Sequence, residues 1–190
     1  GWPTFFVRLT GCPLRCHYGD TADAFHGGEW RTVARVIDEA RESRARHVCV
    51  TGGEPLAQRQ CLTLLTVLCE AGFRVSLETS GAIDSSAVDE RVVRVIDVKT
   101  PGSGESQRNL DITVHGLRKS DQLKFVICDR TDYEWSRDRV RNERLDERCP
   151  VLFSPSYQQL AAGQLANWIL ADKLPVRFQI QLHKVLWGDV

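Results

Sequence analysis

The spacing of two cysteines near the start of the chain gives the first indication of chemistry. Cys12 and Cys16 are separated by three residues, and Gly11 and Pro13 flank Cys12. Thiolates bind iron well, and a loop of this composition can wrap around an iron–sulfur cluster. Zinc is a poorer interpretation, because no second Cys or His pair follows at the spacing of a zinc site. The loop therefore predicts iron–sulfur chemistry.

Polar residues end several apolar runs further along the chain. Thr51 opens the segment Thr-Gly-Gly-Glu-Pro, whose two glycines let the backbone approach a ligand closely and whose Glu54 can pair with a cationic amine. Glu78, Lys99 and Ser154 end later runs, and each is followed within three residues by Gly or Pro. For any one of these four residues, turn formation is as good an explanation as a functional site. Four such residues in succession along the chain favour a shared site.

The hydrophobic pattern predicts the elements that position these residues. Runs typical of strands occur at residues 4–9, 47–50, 73–77, 92–98, 123–127, 151–153 and 176–182. Between them, apolar residues at helical spacing predict helices near residues 33–40, 62–68 and 165–169, and residues 133–145 predict a charged, exposed helix. Residues 101–118 are rich in Gly, Ser and polar side chains, which indicates a long loop with a short helix at most.

Strands that alternate with helices predict right-handed βαβ units and a parallel sheet. A doubly wound sheet and a partial TIM-like barrel both fit this pattern. Because the C-terminal strand ends supply the chemistry in barrels, the polar strand ends favour an α/β fold of the second kind, an incomplete barrel of about six parallel strands with helices outside. We expect the cysteine loop and the Thr51 turn to face each other at its mouth, with room for a nucleoside between them.

Composition disfavours several other classes of protein. The chain has 190 residues, 42% of them hydrophobic, so we expect a single domain over residues 1–190. Lys+Arg and Asp+Glu are both 25, and this lack of basic excess argues against direct nucleic-acid binding and for a small-molecule partner. No apolar run approaches the ~20 residues that span a bilayer. Seven scattered cysteines are typical of the reducing cytoplasm, and the absence of Met indicates that N-terminal residues of the natural protein are missing.

The cysteine loop and the Thr51 turn together resemble the signature of the radical S-adenosylmethionine (SAM) enzymes, in which C-x3-C-x2-C is followed by T-G-G-E-P. The resemblance implies a [4Fe–4S] cluster held by three cysteines, with SAM on the open iron. The third cysteine belongs at position 19, where this chain has Gly19. Glycine has no ligand atom, and two thiolates hold a cubane poorly. Gly19 has three explanations: an engineered substitution, a degenerate natural relative, or an error in the sequence.

Three nearby residues are candidate substitutes for the missing ligand, namely His17, Asp20 and Cys49. For Cys49 we favour a buried apolar thiol within a strand. The remaining cysteines have no partner at motif spacing and are interpreted as packing residues: Cys61, Cys69, Cys128 and Cys149.

Further segments resemble the 7-carboxy-7-deazaguanine synthases within this superfamily. They are Gly1-Trp2-Pro3-Thr4, residues 6–12, Asp20-Thr21, Gln181-Leu182-His183-Lys184 and Leu186-Trp187-Gly188. The family's upstream Q-G-E substrate segment is absent from this chain. We interpret His183 as structural.

The resemblance implies a role for each matching residue. Arg8, Thr51 and Glu78 would bind the substrate, and the guanidinium of Arg8 would form a bidentate pair with the substrate carboxylate. A salt bridge within the protein is the alternative role for Arg8. Thr21 would ligate Mg²⁺, although a helix N-cap explains it equally well. No residue is assigned to catalysis beyond the cluster and SAM chemistry. The SAM contacts would be Tyr18, Asp20, Gly52, Gly53, Glu54, Lys99, Thr100, Pro101 and Ser154.

The implied reaction begins with reductive cleavage of SAM to a 5′-deoxyadenosyl radical. That radical abstracts hydrogen from 6-carboxy-5,6,7,8-tetrahydropterin, and ring contraction with loss of ammonia gives 7-carboxy-7-deazaguanine, a queuosine precursor. The implied partners are the pterin substrate, an external electron donor such as a flavodoxin, and a second copy of the chain in a homodimer.

Three alternatives remain open at this point. The chain could be another radical SAM enzyme, such as a glycyl-radical activase. It could be a cluster-free protein that binds SAM or a pterin, which Gly19 favours. It could also be an interaction protein on a barrel scaffold, against which the polar strand ends argue.

Overall fold

The computed structural model describes residues 1–17 and 27–188. The predictions for Tyr18, Gly19, Asp20 and Thr21 therefore lie outside the described residues.

Seven strands form one sheet in which every neighbouring pair is parallel. Their order in the sheet is their order in the sequence, and the described strands do not close into a full barrel. They are β1 (Thr4–Leu9), β2 (His47–Gly52), β3 (Arg74–Thr79), β4 (Val93–Val98), β5 (Gln122–Ile127), β6 (Val151–Pro155) and β7 (Arg177–Phe178). The predicted open barrel of parallel strands is confirmed, with seven strands rather than about six.

Helices connect most successive strands, but the connection from β3 to β4 contains none, and the last helix follows β7. They are α1 (Val33–Glu42), α2 (Cys61–Glu70), α3 (Asp111–His115), α4 (Arg130–Glu143), α5 (Leu145–Arg148), α6 (Ala162–Ala171) and α7 (Leu182–Trp187). Short 3₁₀ turns occur at Pro55–Ala57, Pro101–Ser103 and Ser106–Arg108. In the described part of the chain no helix is long and apolar enough to cross a membrane.

The sheet has one apolar face and one polar face. On the apolar face, two hydrophobic clusters pack between the strands and the helices, one centred on Val50, Leu77 and Leu65 and the other on Phe125 and Phe153. Side chains alternate along each strand, so the residues between these core positions point to the opposite side. We call that side the inner face, and it carries Phe6, Arg8, Cys49, Thr51, Ser76, Glu78, Asp97 and Lys124.

The last predicted strand is wrong over most of its length. Residues 176–182 were expected to be extended, but β7 contains two residues, and Leu182 begins α7. The nitrogen of Gln179 still donates to the carbonyl of Phe153. The next ladder donor on β6 would be Pro155, which has no N–H. The ladder therefore ends there.

The charged helix also differs from its prediction. It begins earlier, at Arg130, where the Asp129 side chain accepts a hydrogen bond from the nitrogen of Asp132 and caps the helix. Tyr133 and Val140 are fully buried, so one side of α4 belongs to the core rather than to the surface. Arg144 adopts a left-handed conformation (φ 51°) and ends α4, which places Leu145 in α5.

A buried ion pair closes the N-terminal end of the sheet. Asp121 is fully buried, and both Nε and Nη2 of Arg94 donate to its Oδ2. Arg118 adds bonds from its backbone nitrogen and its guanidinium to the same carboxylate. Arg94 also donates to the Ser85 hydroxyl and the Gly116 carbonyl. The network joins the chain before β4 to the chain before β5, far from the polar strand ends.

Removing this carboxylate should destabilise the protein strongly. Asp121→Ala leaves the Arg94 charge buried without its partner, which typically costs about 3–5 kcal/mol. Urea unfolding would measure the loss. Glu134→Ala is the matched control, because its ion pair with Arg130 is half exposed and such pairs contribute less than about 1 kcal/mol. Equal effects of the two variants would contradict the assignment.

The same pair predicts a pH dependence of stability. Burial alone raises the pKa of Asp121, but hydrogen bonds from Arg94 and Arg118 outweigh it and hold the pKa below its usual value. The stabilisation is therefore complete above the unfolded pKa of about 3.9 and is lost as the pH falls through the lower folded value. The free energy of unfolding should decline more steeply below about pH 4 in the wild type than in Asp121→Asn. Parallel pH curves would exclude this contribution.

Candidate functional site

The cysteine loop after β1 is anchored by its own middle residues. Leu14 is buried between the two cysteines, and its backbone nitrogen donates to the Sγ of Cys12 at 3.4 Å. The guanidinium of Arg15 donates to the carbonyls of Cys12 and Leu14. An N–H bond to sulfur of this kind stabilises a thiolate and tunes a metal or cluster ligand.

Backbone hydrogen bonds join this loop directly to the turn after β2. The nitrogen of Gly53 donates to the carbonyl of Leu9 at 2.9 Å, and the nitrogen of Glu54 donates to that of Gly11 at 2.8 Å. The side chain of Gln58 donates to the carbonyl of Thr10. The two segments lie at the same end of the sheet, as predicted. At these points they are in contact, with no nucleoside-sized gap between them.

Gly52 has a different reason for being glycine than the one expected. Its φ is +143°, and a Cβ at this position would lie 1.8 Å from the carbonyl oxygen of Leu9. This close approach is to β1. A side chain here would push the turn away from the strand that leads into the cysteine loop.

Glu54 also departs from its prediction. It was expected to pair with the SAM amine, but it is fully buried and its carboxylate accepts hydrogen bonds within the protein. The donors are the nitrogen of Leu56, the hydroxyl of Thr79, and both the nitrogen and the hydroxyl of Ser80. The side chain thus joins the end of β2 to the end of β3. It positions the turn rather than facing open space.

Lys99 links the end of β4 to the cysteine loop. Its ammonium pairs with Oδ2 of Asp97 at 2.8 Å, and the side chain of Asn109 bonds to both backbone groups of Lys99. Burial raises the pKa of the Cys16 thiol, whereas the positive charge of Lys99 opposes the increase. Lys99 therefore lies within electrostatic range of Cys16, which suits its predicted place beside SAM.

The loop that follows β4 supports the cysteine loop from the other side. The nitrogen of His17 donates to the carbonyl of Ser103 at 3.0 Å, and the nitrogen of Arg15 donates to the Glu105 carboxylate. A Cβ on Gly104 would lie 2.8 Å from the His17 ring, so this contact requires glycine. The loop is in turn fixed to α4, because the carboxylate of Asp132 accepts from the nitrogen of Gly102.

Thr100 was predicted to contact SAM, yet it is completely buried. Its hydroxyl lies 3.0 Å from the carbonyl of Val126 and 3.0 Å from the Asp132 carboxylate. As with Glu54, its hydrogen-bonding capacity is used within the protein. Pro101, in contrast, is exposed.

The predicted substrate residues come together on the inner face. Arg8 and Thr51 are paired in register on β1 and β2, and the Thr51 hydroxyl donates to the Glu78 carboxylate on β3 at 3.2 Å. Arg8 is exposed and forms no ion pair with the described residues, which argues against its alternative role in a salt bridge. The three residues form one polar strip across three neighbouring strands.

Cys49 belongs to this inner face and not to the cysteine loop. It lies inside β2 in register with Phe6, and only 5% of its surface is exposed. Burial and the nearby Glu78 carboxylate raise its pKa to about 11. The interpretation as a buried neutral thiol fits, and a role as a replacement cluster ligand does not.

Four further cysteines and the end of β6 lie outside the cysteine loop. Cys61 and Cys149 are buried, and Cys69 and Cys128 are partly buried, in agreement with packing roles. Ser154 is buried at the end of β6, where the next residues, Pro155 and Ser156, line a cavity of about 440 Å³ under α7.

The described residues supply two thiols for a cluster, on Cys12 and Cys16. Considering only residues 1–17 and 27–188, no group of three or more His, Cys, Asp or Glu side chains is arranged to hold a metal ion. The third ligand position is Gly19, which offers no donor atom. The donor set therefore falls short of the three cysteines that the superfamily signature contains.

Two inner-face residues escaped the sequence analysis as individual site candidates. Asp97 and Lys124 lie on the central strands β4 and β5, in register with each other. Strands covered by helices are mostly apolar, so charged residues inside such runs were an available signal. Motifs at the strand ends gave no indication of Lys124, which lies in the middle of β5.

Comparison with known proteins gives a consistent result. Residues 6–143 match the model of the Radical SAM superfamily. The chain is 38% identical to a 7-carboxy-7-deazaguanine synthase from Chlorobaculum tepidum, over 99% of this chain and 87% of that protein. It is 37% identical to one from Koribacter versatilis, over 98% of this chain and 89% of that protein.

Among solved structures, the fold is similar to that of QueE from Escherichia coli. The TM-score is 0.75 at 20% identity, and the match covers 95% of this chain and 86% of that one. At this identity the likeness concerns the fold alone.

The role of Glu54 can be separated from direct SAM binding. In Glu54→Gln, either orientation of the amide turns its NH₂ toward a backbone N–H, that of Leu56 or that of Ser80. An unmade bond of this kind costs about 1–3 kcal/mol, so urea unfolding should report a clear loss of stability. Glu90→Gln, the same change at an exposed residue, should stay within about 0.5 kcal/mol of wild type. Unchanged stability with lost SAM affinity would instead make Glu54 a direct contact.

Proposed function

Because the chain belongs to the radical SAM superfamily and, within it, to the 7-carboxy-7-deazaguanine synthase family, we propose that it acts on 6-carboxy-5,6,7,8-tetrahydropterin to form 7-carboxy-7-deazaguanine with loss of ammonia. One observation of the structure carries this proposal. The cysteine loop and the strip of Arg8, Thr51 and Glu78 meet at the same end of the sheet. A cofactor on the loop would therefore adjoin a substrate on the inner face.

The inner face suits an anionic heterocycle. Arg8 presents a planar guanidinium at the exposed edge strand, which matches the two oxygens of a carboxylate. Thr51 fixes Oε2 of Glu78 and leaves Oε1 without a hydrogen bond to the described residues. That oxygen is placed to accept from the N–H groups of a pyrimidine ring. The strip thus distinguishes the two ends of the substrate.

The cofactors would lie above this strip. When bound, the cluster and SAM supply the radical that starts the reaction. Cys12 and Cys16 would hold iron, and Lys99, close to Cys16, would face the carboxylate of SAM. Gly53, Pro101 and Ser154 stay in the proposed SAM set with Tyr18 and Asp20. Gly52, Glu54 and Thr100 would support the site through their contacts within the protein.

Gly19 supports a second candidate function, the binding of SAM or a pterin without a cluster. A chain with two cluster thiols keeps the inner face and the turn after β2, so it would bind SAM or the pterin without the redox step. The alternative of a glycyl-radical activase lacks such support, since the curated relatives named here are 7-carboxy-7-deazaguanine synthases. The interaction-scaffold alternative leaves the polar inner face unexplained.

Further proposals concern partners and context. We propose that Thr21 ligates Mg²⁺, that an external donor such as a flavodoxin supplies electrons, and that residues 1–190 form one domain. The exposed apolar side chains of α7, such as Leu186 and Trp187, support a homodimer. All seven cysteines are free thiols, which supports a cytoplasmic location.

Restoring the third cysteine tests the function. After anaerobic reconstitution with iron and sulfide, Gly19→Cys should show a [4Fe–4S] signal by EPR of the reduced form. With SAM, a reductant and the carboxytetrahydropterin, it should form 7-carboxy-7-deazaguanine. The chain with Gly19 should hold less iron and turn over at least tenfold more slowly, because cluster potential and retention depend on the ligand set. Gly116→Cys, a similar change outside the site, should resemble the parent.

The outcomes separate the two candidate functions. A restored cluster that never converts the carboxytetrahydropterin would refute the synthase assignment. If the parent binds SAM by calorimetry while lacking a cluster, the ligand-binding function describes the chain as it stands.

A further inference from the structure

Lys124 is a charged residue in the middle of the sheet. On β5, Leu123, Phe125 and Ile127 are fully buried against the helices, and Lys124 projects from the opposite side. In register it lies between Asp97 on β4 and Leu152 on β6. The residue is partly buried on the inner face.

This lysine has no partner within residues 1–17 and 27–188, where no side chain forms a hydrogen bond or ion pair with it. Its neighbour Asp97 uses Oδ2 for Lys99, while Oδ1 is buried without a hydrogen bond. Lys124 does not donate a hydrogen bond to Oδ1 of Asp97, although the two residues are paired in register. A partly buried charge without a partner is unfavourable. The arrangement indicates a group supplied by a ligand.

The charge of Lys124 lies within electrostatic range of Cys49, which shares the inner face with the strip of Arg8, Thr51 and Glu78. The thiol of Cys49, on β2, has its pKa raised by burial and by Glu78, and the positive charges of Arg8 and Lys124 both oppose that rise. Arg8, Glu78 and Lys124 are thus all within range of one thiol. Because β2 and β5 are separated by two strands, the charge of Lys124 acts on Cys49 across the inner face of β3 and β4.

From this geometry, and resting on the proposed function, we infer that Lys124 is a second cationic contact for the substrate, bound to a ring carbonyl oxygen while Arg8 binds the carboxylate. The chemistry of the two cations supports this division. A guanidinium fork matches the two oxygens of a carboxylate, whereas an ammonium is a compact charge that suits a single oxygen. Glu78 accepts from the neighbouring ring N–H groups. The ligand class is a 2-amino-4-oxo heterocycle with an acid group.

Binding measurements test the assignment without turnover. Calorimetry of 6-carboxypterin, and of pterin lacking the carboxyl, would be compared across variants of the full chain. Lys124→Met should weaken both ligands by the same factor, roughly 10- to 100-fold for a lost charged hydrogen bond. Arg8→Met should weaken 6-carboxypterin and leave pterin unchanged. SAM affinity should not change in Lys124→Met. Lys119→Met, at an exposed lysine before β5, is the matched control and should bind both ligands normally.

Stability provides an independent readout. Since Lys124 lacks a partner in the ligand-free protein, Lys124→Met should melt at the same temperature as the wild type or higher. A lower melting temperature would mean that the lysine is structural, and would overturn the inference. A loss of SAM affinity in this variant, or an effect confined to 6-carboxypterin, would overturn it as well.

The role of Lys124 and the proposed function can be refuted separately. If the wild type binds 6-carboxypterin and Lys124→Met binds it equally well, only the role of Lys124 is refuted. If the wild type binds neither pterin, the proposed function fails, and the inference fails with it.

Discussion

The site depends on the close approach between the end of β1 and the turn after β2. Three consecutive carbonyls, those of Leu9, Thr10 and Gly11, accept hydrogen bonds from Gly53, Gln58 and Glu54. These bonds fix the entry to the cysteine loop before either cysteine is reached. They form only because Gly52 has no side chain, as a Cβ would overlap the carbonyl of Leu9. The position of the thiols relative to the inner face therefore depends on this contact, together with the support from the loop after β4.

Buried carboxylates serve different purposes at the two ends of the sheet. At the N-terminal end, Asp121 is neutralised by Arg94 and Arg118, as expected for a contact that only holds strands together. At the C-terminal end, Glu54 accepts from Leu56, Thr79 and Ser80, and Asp132 accepts from Gly102, Thr100 and Cys128. None of those donors is a charged group. In barrels the C-terminal end carries the ligand, and here the carboxylates brace loops there.

Much of the fold was predictable because buried parallel strands are long apolar runs with clear ends. Six of the seven strands were predicted from such runs. The predicted length of β7 was wrong, because it depends on Pro155 of the neighbouring strand β6. The grouping of Arg8, Thr51 and Glu78 on one face also followed from motifs. The roles of Glu54 and Thr100 did not, since a motif does not reveal whether a polar group faces a ligand or the next turn. That distinction depends on Ser80 and Asp132, which are distant in sequence.

The glycine at position 19 and the state of the inner face are physically separable. The cluster ligands lie on a loop, whereas Arg8, Glu78 and Lys124 project from hydrogen-bonded strands whose register the loop does not set. A missing third thiol therefore weakens cluster binding without disturbing these inner-face side chains. Lys124, which has no partner within residues 1–17 and 27–188, adds a partly buried charge to that face, and a ligand would offset its cost. The presence of this charge argues that the face remains a binding surface, whichever residue occupies position 19.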